Sequence, residues 1–345
     1  MQPLVSIIIP CRNEASSIRA CLESVLASNY TPERMEVLVA DGMSGDGTRS
    51  ILGSMAARDA RLRIVDNPRR TTPHALNRAI AAARGDYILR VDAHSSIEPG
   101  YIVTLVNFLE GNPIAWGAGG RMMTEPESKG PFARPIAMVL AHPFGVGNSG
   151  FRTGGEGTQA YEVDTVFNCC WRREVFSRVG LFNQHLVRSQ DIEMSTRIGR
   201  AGGTLWLVPQ ARTTYFARTR FWSYVRHNWI NGVWSVLPAV YVRGMSVRPR
   251  HLVPLGFVLY LAASLIAAQR WGWLPLLPTV SYLIVNFLVS AAAAWRHRDA
   301  RLVFLLPITF TALHLSYGAG SFCGALAALP FFQRLRPTYD TCTEP

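Results

Sequence analysis

An acidic residue closes each apolar run in the first half of the chain. Val5-Ser6-Ile7-Ile8-Ile9-Pro10 leads to Glu14, and Glu36-Val37-Leu38-Val39-Ala40 leads to Asp41. Tyr87-Ile88-Leu89-Arg90-Val91 leads to Asp92-Ala93-His94. Short apolar, β-branched runs are the pattern of buried parallel strands, and α/β sheets bind ligands beyond the carboxyl ends of their strands. Carboxylates gathered at several such ends predict a cleft for a polar, metal-assisted nucleotide ligand. Asp92 and His94 stand two residues apart, so strand alternation would point both to one side. A carboxylate oxygen with an imidazole suits Mn2+ well and Mg2+ acceptably.

The elements that must position these groups alternate between strand and helix, which predicts βαβ units and a largely parallel sheet. Strands are expected near Val5–Pro10, Met35–Asp41, Leu62–Val65 and Tyr87–Val91, with helices near Ala15–Ala27, Gly47–Arg58, Pro73–Arg84 and Pro99–Glu110. Pro73 suits a first helical turn capped by Thr72, and Gly85 suits the position after the helix end. Gly45-Asp46-Gly47-Thr48 lacks the lysine and spacing of a phosphate-binding loop and is expected to turn the chain and cap the next helix. From Trp116 to about Gly157 the chain is rich in Gly and Pro and reads as a loop region crossing the cleft. Beyond it come a strand over Val163–Arg173, a helix over Glu174–Val179, a helix over Gln190–Ala201 and a strand over Thr204–Val208.

The 345 residues allow one large α/β domain plus extra elements, or two domains. The apolar share of 49% against 17% charged leans toward a membrane protein, and the excess is concentrated after Leu252. Leu252–Ala268 and Leu274–Trp295 have the length of a membrane helix, whereas Leu302–Phe332 exceeds one span. Net charge is +12, and no acidic residue occurs between Glu193 and Asp299 while arginines continue. A basic stretch that abuts an apolar tail predicts contact with anionic lipid head groups and not with nucleic acid. Phe221–Trp234 carries Trp222, Val225, Trp229 and Val233 at helical spacing, the pattern of a helix lying in the membrane interface or packed on a domain surface. Arg248, Arg250 and His251 precede the first span, and Arg296, His297, Arg298 and Arg301 follow the second, while Arg270 alone separates the first two. The positive-inside rule then places the N-terminal domain in the cytoplasm. Arg334 and Arg336 would favour a cytoplasmic tail, which requires a re-entrant hairpin near Gly318 or Gly320; a single span puts the tail outside. The six cysteines show no CxxC pair or zinc spacing and read as reduced thiols, and the N-terminus lacks a secretory signal pattern.

Taken as an ordered set, these residues resemble a family. Pro10-Cys11-Arg12-Asn13-Glu14, Asp41-Gly42-Met43-Ser44-Gly45-Asp46-Gly47-Thr48 and Asp92-Ala93-His94 look like the nucleotide-sugar half of a family 2 glycosyltransferase. Cys170-Trp171-Arg172-Arg173-Glu174 through Gly180, with Gln190-Asp191 and Arg197 to Gly202, looks like its acceptor half. Asn67-Pro68, Asn77 and Asp92-Ala93-His94-Ser95 resemble a subgroup of membrane-attached bacterial glucosyltransferases of the succinoglycan, or exopolysaccharide, type. The resemblance implies an α/β GT-A nucleotide-diphospho-sugar transferase fold, with a mixed, mostly parallel sheet and C-terminal transmembrane helices. The expected division is a catalytic domain over 1–220, an amphipathic interfacial segment over 221–250, a transmembrane region over 251–333 and a tail over 334–345.

The resemblance also implies roles. Pro10, Arg12, Glu14, Asp41, Asn77 and Asp92 would bind the nucleotide sugar, Glu14 and Asp41 by accepting from a uracil N–H and ribose hydroxyls. Asp92 and His94 would hold a divalent metal, Mn2+ or Mg2+; the family's usual motif has a second acidic residue where His94 stands. Such a metal offsets charge on the departing diphosphate. Asp191 would be the catalytic base, and attack opposite the leaving group implies inversion. Its competing use is as a helix cap, and Glu193 is the second candidate base. Asp164, Arg172, Gln190 and Glu193 would touch acceptor or donor sugar, and Arg173 phosphate. Processive members carry a Gln-x-x-Arg-Trp box, whereas His227 to Trp234 has His227 and Ile230 at its first two positions. One sugar per acceptor is therefore expected. The expected protein is an inner-membrane, multi-pass enzyme with a cytoplasmic catalytic domain. Its partners would be a UDP-sugar, a polyprenyl-linked saccharide, the bilayer and other glycan-assembly proteins. The rivals are a polyprenyl-phosphate glycosyltransferase, a nucleotidyltransferase, disfavoured because no Gly-rich basic signature follows Pro10, and a catalytically silent scaffold.

Overall fold

The computed structural model describes residues 2–154, 157–242 and 249–329. Arg243, Arg248, Arg334, Arg336 and the 334–345 tail lie outside the described residues. In chain order the elements begin β1 (Val5–Cys11), α1 (Ile18–Leu26), β2 (Met35–Asp41), α2 (Thr48–Ala56), β3 (Leu62–Asp66) and α3 (Thr72–Ala82). They continue with β4 (Tyr87–Arg90), β5 (Ser95–Ile97), α4 (Tyr101–Gly111), β6 (Ala115–Pro126), α5 (Ala133–Ala141), α6 (Pro143–Val146) and α7 (Gly150–Thr153). Next come β7 (Tyr161–Val163), β8 (Cys170–Arg172), α8 (Glu174–Val179), α9 (Gln190–Arg200), β9 (Thr204–Ala217) and α10 (Phe221–Val236). The last are α11 (Pro238–Tyr241), α12 (Pro249–Trp271), α13 (Leu277–His297) and α14 (Leu302–Ala328). Two compact units result. One holds residues up to Met123 and Ser149–Phe216; the other holds Thr124–Asn148 and the helices from Ala217 onward.

The first unit is built on a nine-stranded mixed sheet ordered β3-β2-β1-β4-β8-β6-β9-β5, with β7 also on β9. β1, β2, β3 and β4 are parallel, and their register puts Cys11 beside Asp41 and Asp41 beside Asp66. β1 and β2 are nearly solvent-free because Ile7, Ile8, Ile9, Val37, Leu38 and Val39 face helices on both sides. β8 runs antiparallel to β4, pairing Tyr87 with Arg172.

Three expectations need correction. The supposed loop from Trp116 contains the 12-residue strand β6 and the helices α5, α6 and α7. Its glycines are packing requirements. A Cβ on Gly119 would lie 2.7 Å from Val166, and one on Gly120 would collide with the Ala211 carbonyl and the Tyr101 ring. The single strand expected over Val163–Arg173 is two, β7 and β8, separated by a turn in which buried Asn168 adopts φ 45°. The strand from Thr204 runs through Pro209 to Ala217.

Among the described residues of the second unit, three helices are long and apolar enough to cross a membrane: Arg250–Trp271, Leu274–His297 and Leu302–Ala328. The third is one unbroken helix, so Gly318 and Gly320 mark no hairpin. Gly320 instead lets α14 meet α10, where a Cβ would strike the Trp229 carbonyl, and Gly232 makes the reciprocal approach to Tyr317. α10 thereby buries Tyr224, Asn228, Gly232 and Trp234, not the stripe read from the sequence: Trp222 is 78% and Trp229 40% exposed. Asn286, buried between spans, donates to Pro307 O at 3.1 Å and to Thr311 Oγ1 at 3.1 Å, satisfying polar groups that hydrocarbon would not.

Gly120→Ala tests the sheet packing. The added methyl meets backbone on one side and a buried ring on the other, so it should destabilise the sheet-bearing unit by about 2 kcal/mol, read as a lower thermal midpoint. Gly53→Ala, where a Cβ meets nothing within 4 Å, should leave the midpoint unchanged or raise it slightly.

Candidate active site

The parallel register brings the ends of β1, β2 and β4 to one edge of the sheet, and the loops there bind one another. Asn13 N–H donates to Ser44 Oγ at 2.9 Å, Gly45 N–H to Asn13 Oδ1 at 3.1 Å and Glu14 N–H to Thr48 Oγ1 at 2.8 Å. Asp46 accepts from Thr48 N–H at 3.0 Å and from Ala15 N–H at 3.1 Å, so it turns the chain into α2 and also ties it to the β1 loop. The Arg12 stem lies 3.0 Å from where a Gly42 Cβ would stand.

Asp41 is fully buried, and its oxygens are already engaged. Ser44 Oγ donates at 2.5 Å and Arg49 at 3.0 Å, and Arg49 also reaches Asp66 at 2.6 Å. The carboxylate orders the loop and sets the Arg49 guanidinium, 44% exposed, at its rim. Glu14 is similarly committed: Ser17 Oγ donates to Oε2 at 2.7 Å, and Oε1 lies 3.1 Å from His94 Nδ1.

The chain leaves β4 through a turn, not a continued strand. Asp92 O accepts from Ser95 N–H at 3.0 Å and from Ser95 Oγ at 2.7 Å, so the alternation argument for Asp92 and His94 fails. Both nevertheless stay within electrostatic reach. Burial would raise the Asp92 pKa, but the Arg90 guanidinium, with His94 adding a lesser share, holds it below the usual carboxylate range. Arg90 binds Asp92 Oδ1 from Nε at 2.9 Å and from a terminal nitrogen at 2.8 Å. Among the described residues no group bonds Oδ2.

Asp191 lies in the first turn of α9, after Ser189 at φ 60°. Its charge, with that of Asp92, sustains the buried Arg90 cation, and it also acts on Arg152. Asp191 is therefore gathered with the Asp92 cluster, half-buried, with Oδ1 accepting from Ile192 N–H at 2.9 Å.

The remaining candidates divide. Gln190 is buried, and its Oε1 has no hydrogen-bond partner among the described residues. Asp164 is exposed just after β7. Asn77 spends its amide on the Phe182 backbone, accepting at 2.9 Å and donating at 2.8 Å, and so pins α3 to the segment before α9. Arg172, expected near sugar, stands beside Tyr87 at the opposite end of β4, where it bonds the carbonyls of Ala115 and Leu109 and the Tyr87 hydroxyl. Arg173, expected near phosphate, caps the Ala83 carbonyl after α3. Glu193 is buried against Arg197 at 2.6 and 2.8 Å, an ion pair between successive turns of α9.

Four residues here were not anticipated. Arg90 had a signal, a lone cation inside an apolar strand. Asn168, Tyr215 and Arg152 had none, because they arrive from distant elements. Asn168 accepts from Asp92 N–H at 3.1 Å and donates to Ser95 Oγ and Thr213 Oγ1, fixing the turn after β4. The Tyr215 ring packs edge-on to His94, with centroids 5.4 Å apart.

The donor set suits a divalent cation. A histidine that ligates through one nitrogen generally gives the other N–H to a carboxylate, and Glu14 is placed to take Nδ1–H and leave Nε2 as the electron-pair donor. Asp92 Oδ2 supplies an oxygen. No cluster of three or more His, Cys, Asp or Glu forms a cage among the described residues, so the rest of the shell would come from substrate oxygens.

Residues 6–179, half of the chain, match the profile of Glycosyl transferase family 2. The chain is 34% identical over 225 residues to the succinoglycan biosynthesis protein ExoA of Rhizobium meliloti (strain 1021), a match covering 63% of this chain and 66% of that protein. It is 24% identical over 333 residues to the dolichyl N-acetyl-alpha-D-glucosaminyl phosphate 3-beta-D-2,3-diacetamido-2,3-dideoxy-beta-D-glucuronosyltransferase of Methanococcus voltae, covering 93% of this chain and 97% of that one. Among solved structures, the mannosyltransferase PcManGT of Pyrobaculum calidifontis, in complex with GDP-Man and Mn2+, superposes with a TM-score of 0.63 at 20% identity, over 94% of this chain and 88% of that one. The fold is GT-A.

Removing Arg90 tests the centre of the cluster. Arg90→Gln leaves Asp92 buried without its cation and should cost about 3 kcal/mol of stability at neutral pH, measured by thermal unfolding in chelator. Because Asp92 is depressed in the folded state, the pair's contribution is fully present above the ordinary carboxylate pKa of about 4. It is lost as pH falls through the lower folded value, so the gap between wild type and variant should close there.

Proposed function

Because the chain belongs to glycosyl transferase family 2, we propose that it is a membrane-anchored, inverting, metal-dependent glycosyltransferase that moves one sugar from a UDP-sugar, UDP-glucose foremost, to a polyprenyl-linked saccharide. The product would serve exopolysaccharide or cell-surface glycan synthesis, in keeping with the role named for the Rhizobium relative. The observation that carries the reading is that Asp191 lies within electrostatic reach of Arg90, the residue that binds Asp92 at the carboxyl edge of the sheet. A base for the acceptor and a holder for the donor thus belong to one cluster.

In this reading Arg12 and the loop ordered by Asp41 and Asp46 bind the nucleotide, with Arg49 at the rim. Asp92 and His94 hold the metal, and Glu14 orients the imidazole. A bound divalent metal supplies charge neutralisation for the departing diphosphate. Asp191 takes the proton from the acceptor hydroxyl as that oxygen attacks the anomeric carbon, and Arg90 supports the carboxylate before the transfer. Attack from the side opposite the leaving group inverts the configuration. Gln190, with an unused buried acceptor, and Asp164 would bond sugar hydroxyls.

The three apolar helices among the described residues support membrane attachment. Arg296, Arg298 and Arg301 cluster at the turn between α13 and α14, while Arg270 alone lies between α12 and α13. That asymmetry supports a cytoplasmic catalytic unit at the inner membrane.

Asp191→Asn keeps the shape and removes the base. It should lower transfer by at least about 10³-fold while UDP binding stays within twofold; transfer near the wild-type rate would overturn the assignment. A separate assay tests the metal. Chelation should abolish UDP release from the purified full chain, and Mn2+ should restore it; undiminished release in chelator would remove the metal from the mechanism.

A further inference from the structure

Arg152 is a cation of the catalytic unit with no structural employment. It lies on the short helix α7, and its guanidinium carbon is 5.5 Å from the centroid of the Phe151 ring and 5.9 Å from that of Tyr215. Among the described residues no carboxylate, carbonyl or hydroxyl accepts a hydrogen bond from it. Its neighbours at this edge of the sheet are occupied: Arg90 holds Asp92, and Arg49 holds Asp41 and Asp66. Burial lowers the Arg152 pKa, and Tyr215 and Asp191 oppose that shift only in part.

Its surroundings connect it with the proposed site. Tyr215 is edge-on to His94 at 5.4 Å and to Phe167 at 5.9 Å, and Phe167 stacks on Phe151 at 6.4 Å. The guanidinium thus rests on an aromatic platform whose other edge touches the proposed metal ligand, while its charge is felt at the proposed base. A half-buried guanidinium offers five donors, and leaving them unbonded away from water is costly. Aromatic faces recover part of that cost by cation–π attraction but accept none of those hydrogen bonds conventionally. An anion with several oxygens would complete the site, and a phosphate matches the planar fork best.

We propose that Arg152 is a catalytic residue that bonds a phosphate group of a reactant, held for that purpose on the Phe151–Tyr215 platform. The inference rests on the transfer reading above. Both proposed reactants carry such a group, the donor as a nucleoside diphosphate and the acceptor as a lipid-linked diphosphate. Contact of Tyr215 with His94 favours the donor, where Arg152 would take negative charge as the glycosidic C–O bond breaks and its electron pair stays on the departing diphosphate.

The test uses detergent-purified full chain and calorimetric titration with two probes, UDP plus Mn2+ and a short polyprenyl diphosphate. Arg152→Gln should weaken one of them by roughly 10- to 100-fold, the factor expected for a lost charge-assisted hydrogen bond. Arg152→Lys, which keeps charge without the fork, should fall between, and it is also the variant to use if the glutamine protein fails to fold. Tyr215→Leu, which removes the ring under the guanidinium, should lose several-fold. Weaker UDP binding assigns the donor diphosphate, and weaker binding of the lipid probe assigns the acceptor. Unchanged affinity for both probes in Arg152→Gln, with an unchanged thermal midpoint, would overturn the proposal. A wild type that binds UDP yet transfers no sugar defeats the proposed function and leaves the Arg152 result standing on its own; a wild type that binds neither probe overturns both.

Discussion

A guanidinium buried at the end of a β-strand must have a carboxylate, and the Arg90–Asp92 pair is the contact on which this site turns. Side-chain exposure is 12% for Arg90 and 16% for Asp92, so neither ion is well hydrated. Apolar residues of the same volume would hold a strand end at lower cost. What the ion pair adds is position and charge. It keeps Asp92 ionised with Oδ1 occupied and Oδ2 directed elsewhere, and it gives Asp191 a cation to face. One arginine therefore couples the turn after β4 to the first turn of α9, the two places from which a donor and an acceptor would be handled. Asn168, in the turn that enters the neighbouring β8, braces the same turn by accepting from Asp92 N–H.

How much of this could be read from the sequence depended on the range of each interaction. The parallel half was legible because burial on both faces leaves a continuous apolar run, and β1, β2, β3 and β4 fall where such runs lie. The carboxylates after β1, β2 and β4 were legible for the same reason. Their partners were not. Glu14 and Asp41 read as open acceptors, yet each is committed across the loops, to His94 and Ser17 in one case and to Ser44 and Arg49 in the other. Arg172 and Glu193 looked like site residues because they sit in the right motif. Pairing direction put Arg172 at the wrong end of the sheet, and helical spacing gave Glu193 to Arg197. Glycine misled in both units. Gly120 and Gly320 read as breaks, whereas each lies inside a regular element at a point where backbone meets backbone.

The helical unit obeys a different solvent. Its buried contacts are small residues and internally satisfied polar groups, such as Gly232 against Tyr317, Ser235 against Ser321 and Asn286 against Thr311. Its outward surface is apolar and unpartnered, with Leu283, Ile284, Phe287, Leu288 and Trp295 all more than half exposed. In water such a surface would be an aggregation site; in a bilayer it is the ordinary exterior of a spanning helix. The same logic explains why α10 escaped a pattern reading. Trp222 and Trp229 face outward while Trp234 is buried beside Asn228, so apolar and polar groups share the inward face.

Why the candidate residues converge at all follows from a change of strand direction. β1, β2 and β4 run together, so their carboxyl ends supply Glu14, Asp41 and Asp92 to one edge. β8 runs the other way beside β4, which brings the turn before it, with Asn168, to that same edge instead of the opposite one. β9 pairs antiparallel with β5, register Ser95 to Tyr215, and so carries Tyr215 to His94 from the opposite flank. A wholly parallel sheet would have left Asn168 and Tyr215 at the far end, and the turn after β4 would have lacked both its brace and its aromatic wall. The switch from parallel to antiparallel pairing is thus the topological reason that groups from five distant stretches of chain meet at one edge, as expected for a ligand site at such a switch point.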